Sequence, residues 1–177
     1  MSEQGRPKMN LPFSEACERN KEPILQVLRA RLKAGDRVLE IGSGTGQHAV
    51  YFSRHLPGVV WQASDLPERC AALGARIAAE GESLAGGGTQ PAPPLALTIG
   101  LDRIATPYDA IFSANTAHIL PVSLLGMLFQ TVADGLVEGG LFLLYGPFQH
   151  NGQHNSESNR HFDLSLRSQG FGGVPDL

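Results

Sequence analysis

The residues with the clearest chemical meaning are Val38-Leu39-Glu40-Ile41-Gly42-Ser43-Gly44-Thr45-Gly46. Three glycines in five residues permit a tight strand-to-helix turn and let a ligand approach the backbone closely. Asp65 follows about 20 residues later, with Leu66 beside it, at the end of the next apolar strand. A carboxylate there can accept from two ribose hydroxyls, so the pair of features points to an adenosine-type ligand. A dinucleotide fingerprint read directly after the strand places Gln47 at its final position. The register Gly44 to Ala49 satisfies G-x-G-x-x-A but starts two residues late. Glu40 separates the candidates: a carboxylate just before the first glycine repels a pyrophosphate and suits an ammonium and a sulfonium. S-adenosylmethionine carries both, and its own carboxylate can meet the helix N-terminus. The expected cradle is therefore Glu40, Gly42, Ser43, Gly44, Gly46, Asp65 and Leu66, with S-adenosylmethionine as cofactor. Other readings stay open: Asp65 as a cap before Pro67, Glu40 paired to a structural Arg or amide, and an NAD-dependent oxidoreductase on the late register.

Methyl transfer is a displacement at a sulfonium carbon, for which positioning and desolvation supply most of the catalysis. A base is needed only where the acceptor must lose a proton. The candidate acceptor-side residues are Asn115 and His118, after the fourth strand, and Tyr145, at the end of the fifth. Asn115 can bond an amine or hydroxyl, and His118 titrates in the range of a base. Each has a structural alternative: a braced loop, a hydrogen-bonded buried imidazole, a core ring. His150, His154 and His161 cluster in an Asn- and Ser-rich stretch without a Cys or acidic pattern that fixes a zinc geometry, so no metal is expected.

Periodicity supplies the elements that must position these groups. Phe13 to Lys33 is helical in character, and Pro23, suited to a first turn, predicts two pieces joined near Lys21–Glu22. Strands are predicted over Arg37–Ile41, Val59–Ser64, Leu95–Ile99, Asp109–Ser113 and Leu141–Tyr145. Helices fall over Thr45–Leu56, Pro67–Ala79, Pro121–Leu136 and Ser156–Arg167, the last capped by Ser156 or Asn155. Gly139–Gly140 is read as a turn into the fifth strand, and Gly81 to Pro94 as a mobile surface connection. Continuous apolar strands separated by helices make an α/β, Rossmann-like, doubly wound parallel sheet of about five strands. Ligands of such sheets lie beyond the strands' carboxyl ends at the switch point. One domain is expected over 1–177: an N-terminal helical region (1–34), a cofactor-binding core (35–148), and a loop and helix (149–177).

Composition excludes several classes. With 14 Lys plus Arg against 17 Asp plus Glu, the net charge of −3 offers no basic excess for nucleic acid or an anionic membrane. No apolar run approaches the ~20 residues that span a bilayer, and the first ten residues lack the apolar core of a signal peptide. Cys17 and Cys70 match no metal or redox spacing. A cytoplasmic protein acting on a small molecule is the expectation.

Beyond these motifs, FSEACERNKEPIL (Phe13 to Leu25), VLEIGSGTGQHAVYF (Val38 to Phe52), WQASD (Trp61 to Asp65), DAIFSANTAHI (Asp109 to Ile119), LYGPF (Leu144 to Phe148) and NGQHNSESNRHFDLSLR (Asn151 to Arg167) resemble the domain of unknown function 938 family, which is class I methyltransferase-like. The ERNKEPIL and SESN stretches are its specific marks. The resemblance implies the class I fold with S-adenosylmethionine as cofactor, and an N-terminal region carrying Glu18, Asn20 and Lys21 over the cleft, with Asn20 touching the cofactor. Two departures stand out. Thr98, in Leu97-Thr98-Ile99, replaces an Asp of the family pattern, leaving Asp102 as the nearest substitute for an adenine contact. Class I domains also end in a sixth strand and an antiparallel seventh, for which residues 146–177 leave little room. The chain is thus expected to lack that strand pair and to expose a sheet edge that favours association. A non-catalytic binder of S-adenosylmethionine or its demethylated product is the alternative to an enzyme.

Overall fold

The computed structural model describes residues 11–81 and 89–176. Its main sheet holds β1 (Arg37–Ile41), β2 (Val60–Asp65), β3 (Ala92–Ala96), β4 (Tyr108–Ala114) and β5 (Leu136–Tyr145) in the order β3-β2-β1-β4-β5. Every pairing is parallel. The chain walks outward from β1 through β2 to β3, then returns to the other flank of β1 with β4. The switch point therefore lies between β1 and β4, as the doubly wound reading requires.

Helices α1 (Glu15–Arg31), α2 (Gln47–His55) and α3 (Pro67–Gly81) cover the face on which Val38, Trp61, Ala63 and Phe112 pack with Phe52, Leu25, Leu28 and Leu73. The other face buries Leu39, Ile41 and Ile111 against Leu128 and Val132 of α4 (Val122–Gly135). Central β1 is buried almost throughout because both of its faces are covered.

Three elements differ from expectation. The N-terminal region is one helix, α1, with Pro23 inside it. An interior proline costs ~3 kcal/mol. Burial of Ile24, Leu25 and Leu28 on one face supplies a compensating gain, at ~1.5–3 kcal/mol per large apolar side chain. The third strand begins earlier, at Ala92, and includes Pro93 and Pro94. It is the edge of the sheet, where a missing N–H goes unmissed. Gly139–Gly140 lies inside β5, which runs on from α4, and marks a shift in the β4–β5 register. The linker glycines Gly86 to Gly88 lie outside the described residues.

After β5 the chain forms a small hairpin, β6 (Gln149–His150) and β7 (Gln153–His154), then α5 (Glu157–Ser168), which Ser156 caps by accepting from Asn159 N–H. Asn151 and Gly152 both have positive φ (54° and 70°), the signature of a type I′ turn. Among the described residues the main sheet ends at β5, whose second edge pairs with no strand. None of the described helices is long and apolar enough to cross a membrane.

Candidate ligand-binding site

The glycine loop is built from the end of β1 outward. Gly42 and Ser43 N–H both donate to Ser64 O (3.0 and 2.9 Å), Ser43 Oγ accepts from Ser64 N–H (3.2 Å), and Ser64 Oγ donates to Glu40 O (2.6 Å). These bonds lash the loop to the end of β2. Gly42 has φ +75°, and a Cβ there would collide with the Thr116 hydroxyl, which lies in the loop after β4. Glycine is thus required where the two switch-point loops touch. Gly44 (φ +53°) is different: a Cβ would meet no protein atom, so its face of the loop is open. Gly46 caps α2 without a side-chain bond of its own.

Asp65, at the end of β2, holds the loop by the Gly44 amide. One carboxylate oxygen accepts from Gly44 N–H (2.6 Å), the other from Leu66 N–H (2.8 Å), and only 7% of the residue is exposed. Glu40 lies beneath the loop at 2% exposure, with Trp61 Nε1–H donating to its carboxylate (2.9 Å). Burial pushes its pKa up to about 7; bonds from Trp61 and Ser43 oppose the rise, and nearby Asp65 adds to it. The loop therefore stands on two carboxyl groups close enough to repel each other.

Asn20 faces the other flank of α2. Its Oδ1 lies 2.7 Å from His48 Nε2, in a pair that is 6% and 4% exposed. The imidazole stacks on Phe52 at 5.0 Å and meets Phe112 edge-on. Burial pulls His48 down to about 4, against a bond to the Cys17 carbonyl. Asn20 thus fastens α1 to the first turn of α2. Gln47 strengthens the tie, its Oε1 accepting from Ser14 N–H (2.6 Å) and Thr45 Oγ1–H (3.0 Å).

On the acceptor side, Asn115 takes a left-handed backbone (φ 57°), which asparagine tolerates better than most residues. Its N–H donates to Tyr145 O (2.8 Å), bringing both residues to the carboxyl edge beside the switch point. His118 is 7% exposed, turned toward Gly146 and edge-on to Phe162 at 5.3 Å; burial lowers its pKa. Asp102 closes its own turn, accepting from Thr98 N–H (2.7 Å). The histidines of the C-terminal stretch point to separate partners: His154 Nε2 lies 3.5 Å from Asp163, and His161 Nε2 3.3 Å from Glu157. No group of three or more potential metal ligands converges among the described residues.

The sequence reading missed Trp61, Ser64, Thr116 and His48 as the loop's supports. Trp61 is on the same face of the sheet as Glu40, a signal that strand alternation carries. Nothing local marks Thr116, whose role arises from β1 and β4 being neighbours.

A family profile described as "Protein of unknown function (DUF938)" matches residues 11–175. Among solved structures, human N-acetylserotonin methyltransferase in complex with SAM superposes with a TM-score of 0.72 at 15% identity, over 92% of this chain and 43% of that one. A putative O-methyltransferase from Nostoc punctiforme gives 0.71 at 14%, over 89% and 46%. An O-methyltransferase family protein from Burkholderia thailandensis gives 0.69 at 18%, over 90% and 48%. The chain spans less than half the length of each, and at these identities the likeness establishes a class I methyltransferase-like fold.

Proposed function

The chain belongs to the DUF938 family, and from the geometry of its glycine loop we propose that it binds S-adenosylmethionine and methylates a small molecule. The observation that carries the reading is the open space at Gly44, in a loop whose amide meets the Asp65 carboxylate at the carboxyl ends of β1 and β2. The N-terminal end of α2 would receive the methionine carboxylate, and Asp65 the ribose, with Leu66 alongside. Two carboxyl groups at the loop, Glu40 and Asp65, disfavour a pyrophosphate and so argue for this cofactor over NAD. The cofactor would supply an electrophilic methyl group. The chain's own residues would orient the acceptor, with Asn115 and Tyr145 at the edge and His118 as the group able to take a proton. Asn20 would act through His48 on the position of α2. The unpaired β5 edge would favour association. A non-catalytic binder is the second reading, favoured by Thr98 and Asp102 being bonded to each other.

Titration calorimetry with S-adenosylmethionine, S-adenosylhomocysteine and NAD tests the first step. Both sulfur ligands are expected to bind, with at least tenfold weaker binding in Asp65→Ala. Tight NAD binding with no response to either sulfur ligand overturns the reading. Release of S-adenosylhomocysteine over a panel of small-molecule acceptors separates enzyme from binder.

A further inference from the structure

A second cleft, of about 430 Å³, lies among α1, α2 and α3, and the cofactor reading makes no use of it. It draws on the family-specific ERNKEPIL stretch through Glu18 and Lys21, whereas Asn20 of the same stretch points to His48. Its charged lining is Lys21, Arg54 and Arg76 with Glu18 and Glu80. Both carboxylates are already neutralised, Glu18 by Lys21 and Glu80 by Arg76 (2.5 Å). That leaves Arg54, whose bond is to the backbone carbonyl of Glu80 (3.2 Å), as the cation without a carboxylate. Arg76 is 5% exposed and spends Nη2 on Pro12 O, while its buried Nε–H meets no acceptor among the described residues. Leaving a donor of a buried guanidinium unmet is costly. The remaining wall is partly apolar: Phe13 is 60% exposed at the cleft, and the Tyr51 ring already carries the Lys21 ammonium at 4.9 Å.

We propose that this cleft binds a small organic monoanion, an aromatic body bearing one carboxylate, with Arg54 as the partner of the charge and Phe13 as the partner of the ring. One free cation between two internally paired acids selects a single negative charge. A dianion would meet Glu18 and Glu80 as well. Gln47 connects the cleft to the glycine loop, since it lines the cleft and accepts from Thr45. An occupant would therefore be felt at the loop. None of Glu40, Gly42, Ser43, Gly44, Asp65 or Leu66 lines the cleft, so its occupancy does not presuppose the cofactor.

The test is a titration of the isotopically labelled full chain with benzoate, benzamide and inorganic phosphate, followed by amide resonances. Benzoate is expected to shift the Tyr51 and Arg54 amides saturably, while benzamide and phosphate bind at least tenfold more weakly. Arg54→Ala, an exposed position, is expected to weaken benzoate at least tenfold, and Arg54→Lys to restore part of the loss. Absence of benzoate binding overturns the proposal, as does equal binding to Arg54→Ala or equal binding of benzamide. S-adenosylhomocysteine binding by the same samples reports separately on the loop.

Discussion

The region around the glycine loop and the region around β5 are built to different standards. Beneath the loop, Phe52, Trp61 and Phe112 are fully buried, with ring centroids 5.4–5.8 Å apart, and His48 completes the cluster. In β5, by contrast, no residue of the ten-residue strand is buried, and Val137, Leu141 and Tyr145 are exposed together with Met127 and Phe129 of α4. The loop region has both sheet faces covered, and the loop's own amides at Gly42, Ser43 and Gly44 are hydrogen-bonded. The β5 region has a covered flank on β4 and an open edge. A cofactor loop must hold its backbone within a fraction of an ångström, which dense packing supplies. An apolar strand edge is a surface for association.

Core truncation is the strongest way to break this contrast. Phe52→Ala is expected to cost ~3–5 kcal/mol by chemical denaturation, while Leu141→Ala in β5 costs less than ~1 kcal/mol. Comparable losses at the two positions would erase the distinction.

The buried carboxyl gives the next largest effect. Glu40 is protonated more readily in the folded than in the unfolded chain, so its ionisation lowers stability as pH rises from about 4.5 to about 7. His48 runs the other way: the unfolded chain binds its proton more tightly, so stability rises from about pH 4 to 6.5. The two nearly cancel over the shared window. Glu40→Gln keeps an acceptor for Trp61 Nε1–H and removes one of them. Its stability relative to wild type is expected to grow by on the order of 3 kcal/mol between pH 4.5 and 7, measured by urea denaturation. A pH-independent difference would place Glu40 outside the low-dielectric interior.

Smaller effects separate the glycines. Gly42→Ala meets both backbone strain and the Thr116 hydroxyl, and is expected to cost ~3 kcal/mol. Gly44→Ala meets strain alone, ~1 kcal/mol, yet its methyl occupies the ligand face, so it is expected to lose binding while remaining folded. Thermal melts paired with calorimetry distinguish the two. Leu141→Lys, the mildest change, is expected to leave stability near wild type and reduce concentration-dependent association in light scattering.

Much of this was legible in the residues themselves. Arg37–Ile41 appears with the expected ends, and Asp65 and the glycines meet at the carboxyl ends of β1 and β2 because alternating strands and helices admit few topologies. What escaped was set by tertiary context or went unread. Pro23 stays helical because the core holds α1, and Pro93 and Pro94 stay in a strand because it is an edge. The β6–β7 hairpin was carried by Asn151-Gly152, a strong local turn signal obscured by the polar residues around it. Glu40, read as a ligand contact, lies under the loop because Trp61 offers it a donor, a pairing that requires β1 and β2 to be neighbours.

The Gly44 amide is the most direct reporter of the central claim, since it donates to Asp65 and lies on the open face of the loop. Titrating labelled protein with S-adenosylhomocysteine should shift the Gly44 resonance saturably, with no comparable shift from NAD and none in Asp65→Ala at the same concentrations. A Gly44 resonance unmoved by S-adenosylhomocysteine at millimolar concentration, or moved only by NAD, contradicts the account.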